Sequence, residues 1–447
     1  MISSPGEDRA ISRQVSGHVH NPLPRIPLYE DMSLTGTPFL CTTVLLSVVA
    51  LILPLALWSR MRGPRPLRAA ARVLMLLFAQ GTAVTLVFVL VNNQNNLYDD
   101  WADLLGTGDH VQRAADLGRD GTGGIAVQRL PRVRQTFRPV GGPGMRAGGP
   151  VRVTQLKGRV SGVNAEVYVW LPPQYDDPAY RHHEFPVVEL LPGYPGSAKA
   201  WFGSLRAAEQ LLPLMRDGRV APFVLVAPRT NLLAGVDTGC ANVPGQVNAD
   251  SWLSIDVPKM VKDNFRVQPA PRGWAVAGYS AGAHCAVKLA VAHPDRYRAA
   301  VSMSGYNDPI GERDSLAAQT PALRAANNPY LLLREAAGPP PVALYLSGQS
   351  GDGYQAGMAL ESAAKAPTTV RVVLLPRSAG GHTMALWRPQ VTTVFRWLTL
   401  QMGQSHAKGR DTSVAGAATP PSPSSAGSTH AAPASGTASP AGAARTP

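Results

Sequence analysis

The chain has 447 residues, with 42 lysines and arginines against 29 acids for a formal charge of +13, and three cysteines. The length allows two or three average domains, but the uneven composition points to one globular unit. The positive excess is arginine scattered among alanine, glycine and proline with no basic stripe interleaved with aromatics, which argues against nucleic acid as a partner. Without C-x-x-C spacing or a His/Cys cluster, neither a metal site nor a cofactor is expected.

Residues 1–36 are polar, proline-punctuated and aperiodic, and read as a disordered leader with Met32 as an alternative start. From Thr37 to Trp58 runs an apolar stretch about long enough to cross a bilayer, and a second follows from Val73 to Val91 with Gln80 its only strongly polar side chain. A charge at the bilayer centre costs roughly 2.5–3.5 kcal/mol on insertion scales, so two uncharged runs predict a transmembrane hairpin over 37–92; buried core helices are the alternative. The connector carries Arg60, Arg62, Arg65, Arg68 and Arg72, whereas the outer flanks carry Glu30 and Asp31 before and Asp99, Asp100 and Asp103 after. By the positive-inside rule the connector is cytoplasmic and everything after Val91 is extracytoplasmic, at the cell membrane.

Residues 93–149 begin with the aromatic, acidic Leu97–Trp101 and decay into glycine, arginine and proline, reading as an extracytoplasmic tether. At Val151 the pattern changes to two alternating runs, V-R-V-T-Q-L-K-G-R-V and A-E-V-Y-V-W-L-P-P-Q-Y, expected to pair antiparallel. Short apolar strands follow at 186–191, 222–227, 274–277, 299–303, 342–346 and 370–375, with helical stretches between them at 207–215, 256–265 and 356–366. This alternation over 150–402 predicts an α/β domain with a mainly parallel sheet and helices on both faces. After residue 402 an alanine-, serine- and proline-rich tail, 403–447, reads as disordered.

The chemistry centres on W-A-V-A-G-Y-S-A-G-A-H-C-A-V-K, Trp274 to Lys288. Alone, G-x-S-x-G is a weak signal. Between a buried-type strand and an alanine-rich helix it is a nucleophile elbow, in which Ser280 sits on a strained turn and the helix behind it favours negative charge on a substrate oxygen. A serine nucleophile needs a base and an orienting acid, in the chain order serine, acid, histidine for this architecture. The last strand leads into Gly380-Gly381-His382, so His382 is the expected base; His284, one turn along the elbow helix, is the rival. The strand 342–346 leads into Ser347-Gly348-Gln349-Ser350-Gly351-Asp352, making Asp352 the expected acid and Asp308 the runner-up. Backbone amides of Ala281 and of Tyr194, in the Pro192–Gly196 loop, are the expected oxyanion-hole donors. Loops around Asp237, Trp252 and Tyr306 are the candidate substrate-binding surface. With the domain in an oxidising compartment, Cys240 and Cys285 are expected to form a disulfide, two buried thiols being the alternative.

From about Val151 to Leu400 the sequence resembles the esterase-D-like esterases of the α/β-hydrolase superfamily, a group that includes the mycolyltransferases. The resemblance rests on the V-Y-V-W-L-P-P-Q-Y strand, the L-L-P-G-Y loop at Leu190–Tyr194, the elbow, and G-G-H-T-M-A-L-W at Gly380–Trp387. The membrane hairpin and the D-T-G-C run at Asp237–Cys240 resemble a membrane-anchored actinobacterial branch. The resemblance implies an α/β-hydrolase fold with a Ser280–Asp352–His382 triad and an oxyanion hole at Tyr194 and Ala281. The expected function is a membrane-anchored serine esterase acting on a small-molecule or lipid ester, no long apolar insertion being present to build a channel for a long acyl chain; the alternatives are acyl transfer to a sugar or lipid hydroxyl, and an inactive binding or scaffold module. Mycolyltransferases usually carry glutamate where this chain has Asp352.

Overall fold

The computed structural model describes residues 34–142 and 144–402. The expected leader with Glu30, Asp31 and Met32, and the expected tail from 403, lie outside the described residues, apart from the segment 34–36.

Two long helices come first, α1 (Thr37–Leu57) and α2 (Arg65–Asn95). Both are long and apolar enough to cross a membrane, with only 11% of each apolar window buried within the chain. At about 1.5 Å per residue α1 is ~31 Å long, close to the ~30 Å hydrocarbon thickness of a bilayer. The second helix starts eight residues before the expected Val73 and ends four after Val91, because Arg65 to Arg72 and the Asn92–Asn95 end continue the ladder. Asn96 stops it in the left-handed conformation, φ 51°.

Among the described residues, nine strands form one sheet: β1 (Arg138–Pro139), β2 (Arg152–Lys157), β3 (Asn164–Trp170), β4 (Val187–Leu191), β5 (Val224–Pro228), β8 (Trp274–Tyr279), β9 (Ala299–Met303), β10 (Ala343–Gly348) and β11 (Thr369–Leu374). Their order is β1-β2-β3-β5-β4-β8-β9-β10-β11, and β6 (Asn242–Val243) and β7 (Val247–Asn248) form a separate ribbon. From β5 to β11 all neighbours are parallel, while β1, β2 and β3 add on antiparallel. The period of two divides each central strand between two cores: Val187 and Leu191 of β4 enter one with Trp252, Val276, Ala286 and Leu289, and Val188 and Leu190 the other with Leu211, Ala277, Val301 and Phe395.

Residues 93–149 are not a free tether. Arg138 and Pro139 pair with β2, Ser251 Oγ donates to the Gly121 carbonyl at 2.6 Å, and a short helix, Trp101–Leu105, packs onto the hairpin and the domain. Composition suggested a linker because its glycines and prolines carry no periodicity; here they shape turns that lie against the domain. The pin is Arg229, just past β5. Its Nε donates to Glu166 Oε2 at 2.6 Å and Nη1 to Asp103 Oδ1 at 2.8 Å, with Asp99 3.5 Å from Nη2. Burial works against its charge, and Glu166 and Asp99 more than offset that.

Glu189, in the middle of β4, is fully buried; the Tyr297 hydroxyl donates to its Oε2 at 2.8 Å, and Oε1 has no protein partner. Burial pushes its carboxyl up to about 8, against the lowering effect of Tyr297.

Two stability predictions follow from these buried charges. Arg229→Met leaves Asp103 and Glu166 without their cation and Asp99 with Lys199 alone, and is expected to destabilise the domain by about 3 kcal/mol, read by thermal unfolding. Between pH 4.5 and about 8 folded Glu189 holds a proton that the unfolded chain has released, so stability falls as pH rises through that window. Glu189→Gln is expected to flatten that loss in denaturant titrations at pH 5, 6, 7 and 8; an unchanged slope would assign it to other groups.

Candidate active site

The elbow is dictated by close approach. After β8 the chain turns at Ser280, φ 55° and ψ −128°, into the helix Ala281–Ala292. A Cβ on Gly278 would lie 2.0 Å from the Gly282 carbonyl oxygen, and one on Gly282 would lie 2.3 Å from the carbonyl oxygens of Leu191 and Pro192. Both positions are sterically closed to any side chain. Holding a serine at positive φ costs of order 1–3 kcal/mol, and the Ser280 amide bond to the Met303 carbonyl, 3.0 Å, helps fix it. The outcome is a hydroxyl projecting off the end of the central strand.

Three loops converge on that hydroxyl. His382 Nε2 lies 2.7 Å from Ser280 Oγ, and His382 Nδ1 lies 2.8 Å from Asp352 Oδ1. His382 is presented by Gly380, φ 99°, and its ring meets the edge of Trp387 at 4.8 Å. Trp387 in turn stacks on Tyr279 at 4.7 Å and donates from Nε1 to Ser304 Oγ. Asp352 sits on a tight turn after β10, its amide bonded to the Gln349 carbonyl at 2.9 Å; a Cβ on Gly348 would lie 2.2 Å from the Asp352 carbonyl oxygen. The Gln349 side chain donates to the Pro376 carbonyl, joining the acid's loop to the histidine's. His382 remains 47% exposed on its side chain, so bulk water reaches the imidazole.

The loop after β4 approaches from the other side. A Cβ on Gly193 would stand 2.9 Å from Ser280 Cβ, so the backbone entering Tyr194 passes directly over Ser280. Ala281 opens the elbow helix, where first-turn amides lack intrahelical acceptors and the dipole is positive.

The rival residues are engaged elsewhere. His284 is buried, its Nδ1 3.0 Å from the Tyr306 carbonyl oxygen, and burial pushes its imidazole down to about 4. Asp308 accepts from Arg324 Nε at 2.6 Å.

The expected substrate surface is only partly there. Trp252 is wholly buried, donating from Nε1 to the Arg229 carbonyl at 2.9 Å, and is a core residue rather than a binding one. Its helical turn faces the sheet, which the aromatic alone did not disclose. Tyr306 stacks on His284 at 4.6 Å with its hydroxyl buried and unpartnered. The Asp237 carboxylate accepts the Gly239 amide at 3.0 Å, and burial raises its pKa. Glu312, not foreseen from sequence, lies within electrostatic reach of both Asp237 and His382, and burial raises its pKa too. Nothing in its exposed-looking E-R-D setting marked it.

Cys240 and Cys285 are disulfide-bonded with Cα atoms 5.7 Å apart. Closing a loop of 45 residues stabilises by about 4 kcal/mol in the chain-entropy account. Beside it lies a buried charge cluster that the sequence did not mark. Lys288 Nζ donates to the Cys240 carbonyl at 2.9 Å and pairs with Asp250, whose other oxygen lies 2.8 Å from His293 Nε2. Burial raises the Asp250 pKa, but Lys288 and then His293 outweigh it and hold the carboxyl well below the usual range.

A protein of Corynebacterium glutamicum described as uncharacterized is 31% identical over 265 residues, covering 54% of this chain and 59% of that protein. The chain thus aligns with about three fifths of the length of this curated relative. Similar solved structures include a ferulic acid esterase, 19% identical with a TM-score of 0.47 over 57% of this chain and 98% of that one. An S-formylglutathione hydrolase from Agrobacterium tumefaciens is 16% identical, TM-score 0.47, over 61% and 100%. A fluorophosphonate-binding serine hydrolase of Staphylococcus aureus is 17% identical, TM-score 0.44, over 58% and 99%. The family described as "Putative esterase" matches residues 160–398, more than half of the chain, and the protein belongs to that family.

Proposed function

We propose that the protein is a membrane-anchored serine esterase with its active site outside the cytoplasm, acting through Ser280, His382 and Asp352. The observation that carries this reading is the relay of 2.7 Å and 2.8 Å contacts from Ser280 through His382 to Asp352. In the proposed cycle His382 Nε2 takes the Ser280 proton as Oγ attacks the ester carbonyl carbon, and Asp352 holds the ring with its Nδ1 proton facing the carboxylate. The oxyanion is received by the amides of Ala281 and Tyr194. Collapse of the tetrahedral adduct breaks the bond to the alcohol oxygen, which leaves with the proton from His382 and an acyl-Ser280 behind. Water, deprotonated by the same imidazole, then attacks the acyl carbon, releasing the acid and restoring the serine. The exposure of His382 supports water over a bound alcohol as second nucleophile.

Membrane anchoring is supported by the two apolar helices, whose side chains such as Leu51, Leu55 and Val84 face outward unpartnered. The Cys240–Cys285 disulfide supports an oxidising compartment for the domain, as the arginine-rich connector does for its sidedness.

A fluorophosphonate probe is expected to label wild type and not Ser280→Ala; equal labelling of both would sink the nucleophile assignment. Asp352→Asn is expected to lower kcat about 10⁴-fold with little change in KM, measured on a short p-nitrophenyl ester. Adding glycerol or a sugar to that assay should leave free acid as the main product; ester product in excess at modest acceptor concentration would make the protein a transferase. For topology, with Cys41 replaced by serine, a cysteine introduced at Arg62 should be shielded from an impermeant thiol reagent in intact cells, and one at Arg334 labelled. The reverse pattern overturns the orientation.

A further inference from the structure

The exit of the hairpin and the oxyanion loop are built into each other. After Asn96 the chain folds back: the Asn92 side chain accepts the Tyr98 amide at 2.9 Å and donates to the Tyr98 carbonyl at 3.1 Å. Tyr98 is thereby laid against Phe88 of α2, ring centroids 6.3 Å apart, and Trp101 against Phe39 of α1 at 5.3 Å. Phe39 and Phe88 lie near the outer ends of the two apolar helices, the level at which amphipathic aromatics gather at a membrane–water interface. Exposed Trp101 and Leu105 extend that rim.

From this rim the contacts run straight to the nucleophile. The Asn96 carbonyl accepts the Ser197 amide at 2.9 Å; Asp99 accepts Ser197 Oγ at 2.6 Å and pairs with Lys199 at 3.0 Å. Asn96 Nδ2 donates to Ser204 Oγ, which donates to the Gln94 carbonyl. Ser197 adjoins Gly196, whose Cβ position is 2.6 Å from the Gly193 carbonyl oxygen, and Gly193 crosses over Ser280. The contour of this path is on the order of 20 Å, so Ser280 lies no farther than that from the end of α2. Buried Arg229 fixes Asp99 and Asp103 from behind, so this is a rigid mount rather than a flexible stalk.

We infer that the Ser280 centre is mounted at the lipid headgroup level and that its substrate is an ester of an amphiphile resident in the extracytoplasmic leaflet, rather than a freely diffusing ester. The inference rests on the esterase and hairpin readings above and goes beyond them in substrate class. A site fixed at that depth meets a leaflet-resident acyl ester by two-dimensional diffusion, whereas a soluble ester gains nothing from the mount. Asp99 is a positioning residue in this scheme: it joins the anchor to the loop and touches no reacting atom.

The test uses the full chain reconstituted in phosphatidylcholine vesicles with two probes, soluble 4-methylumbelliferyl butyrate and bilayer-embedded 4-methylumbelliferyl oleate. The oleate is placed either in the same vesicles as the protein or in separate ones. Turnover is expected at least ten-fold faster in the same vesicles, and abolished on both probes by Ser280→Ala. Inserting twenty Gly/Ser residues between Val91 and Asn92, together with Tyr98→Ala and Trp101→Ala to remove the ring contacts to Phe88 and Phe39, keeps the Asn96, Asp99 and Asp103 contacts to the domain but frees the domain from the hairpin. It is expected to leave butyrate turnover within two-fold and to lower same-vesicle oleate turnover at least five-fold. Asp99→Asn checks the positioning of the loop: it is expected to lower kcat on both probes with the butyrate KM unchanged. Butyrate turnover without same-vesicle oleate turnover overturns the substrate class and leaves the esterase reading standing. An insertion variant that lowers both probes equally, or neither, overturns the mount, and an Asp99→Asn variant with unchanged kcat overturns the positioning role of Asp99. Absence of turnover on both probes together with no fluorophosphonate labelling overturns the esterase reading itself.

Discussion

The structure depends on one steric constraint, the crossing of β8 and the helix Ala281–Ala292 at the elbow. Backbone meets backbone there with no room for a β-carbon at Gly278 or Gly282, and Ser280 is held at positive φ where the chain turns between them. Such strain persists only when the surroundings over-determine it. They do so on every side: parallel pairing to β4 and β9 fixes the strand, the Met303 carbonyl fixes the Ser280 amide, and the Leu191 and Pro192 carbonyls press on Gly282. The same close packing brings the Gly193 backbone over Ser280, so the fold and the loop after β4 answer to one contact.

Behind the elbow, charge is buried where apolar packing would have been simpler. Lys288 projects from the elbow helix to Asp250 and to the Cys240 carbonyl, with His293 on the same carboxylate. A cluster of this kind contributes little net stability, since desolvation consumes most of its Coulombic gain, but breaking it is costly. Its effect is geometric: with the disulfide it ties the 237–256 segment to the helix carrying Ser280. Glu189, one strand away, is accommodated differently, by holding its proton rather than by finding a cation.

Arg229 gives the segment after α2 its place. Three carboxylates from two distant parts of the chain, Asp99 and Asp103 after the hairpin and Glu166 on β3, surround one guanidinium, whose rigid fork suits several acceptors at once. The passage from α2 to the domain is therefore short and ordered, and the Pro192–Gly196 loop is tied to it through Asp99, Ser197 and Lys199.

The sequence by itself determined what local patterning controls. Period-two and period-3.6 apolarity marked the strands and helices, uncharged length marked α1 and α2, and glycines at fixed offsets around Ser280 and before His382 marked the turns that need them. What only the tertiary structure decided is whatever depends on residues far apart in the chain. Residues 93–149 read as a tether because glycine, arginine and proline carry no period, yet Arg138–Pro139 join the sheet and Asp103 meets Arg229 across 126 positions. Trp252 reads equally as a binding aromatic or a core one until a helical turn faces it to the sheet. Asp250 and Glu312 look like ordinary surface acids, since a carboxylate's role is set by which cation or imidazole the fold brings beside it, and no local pattern encodes that.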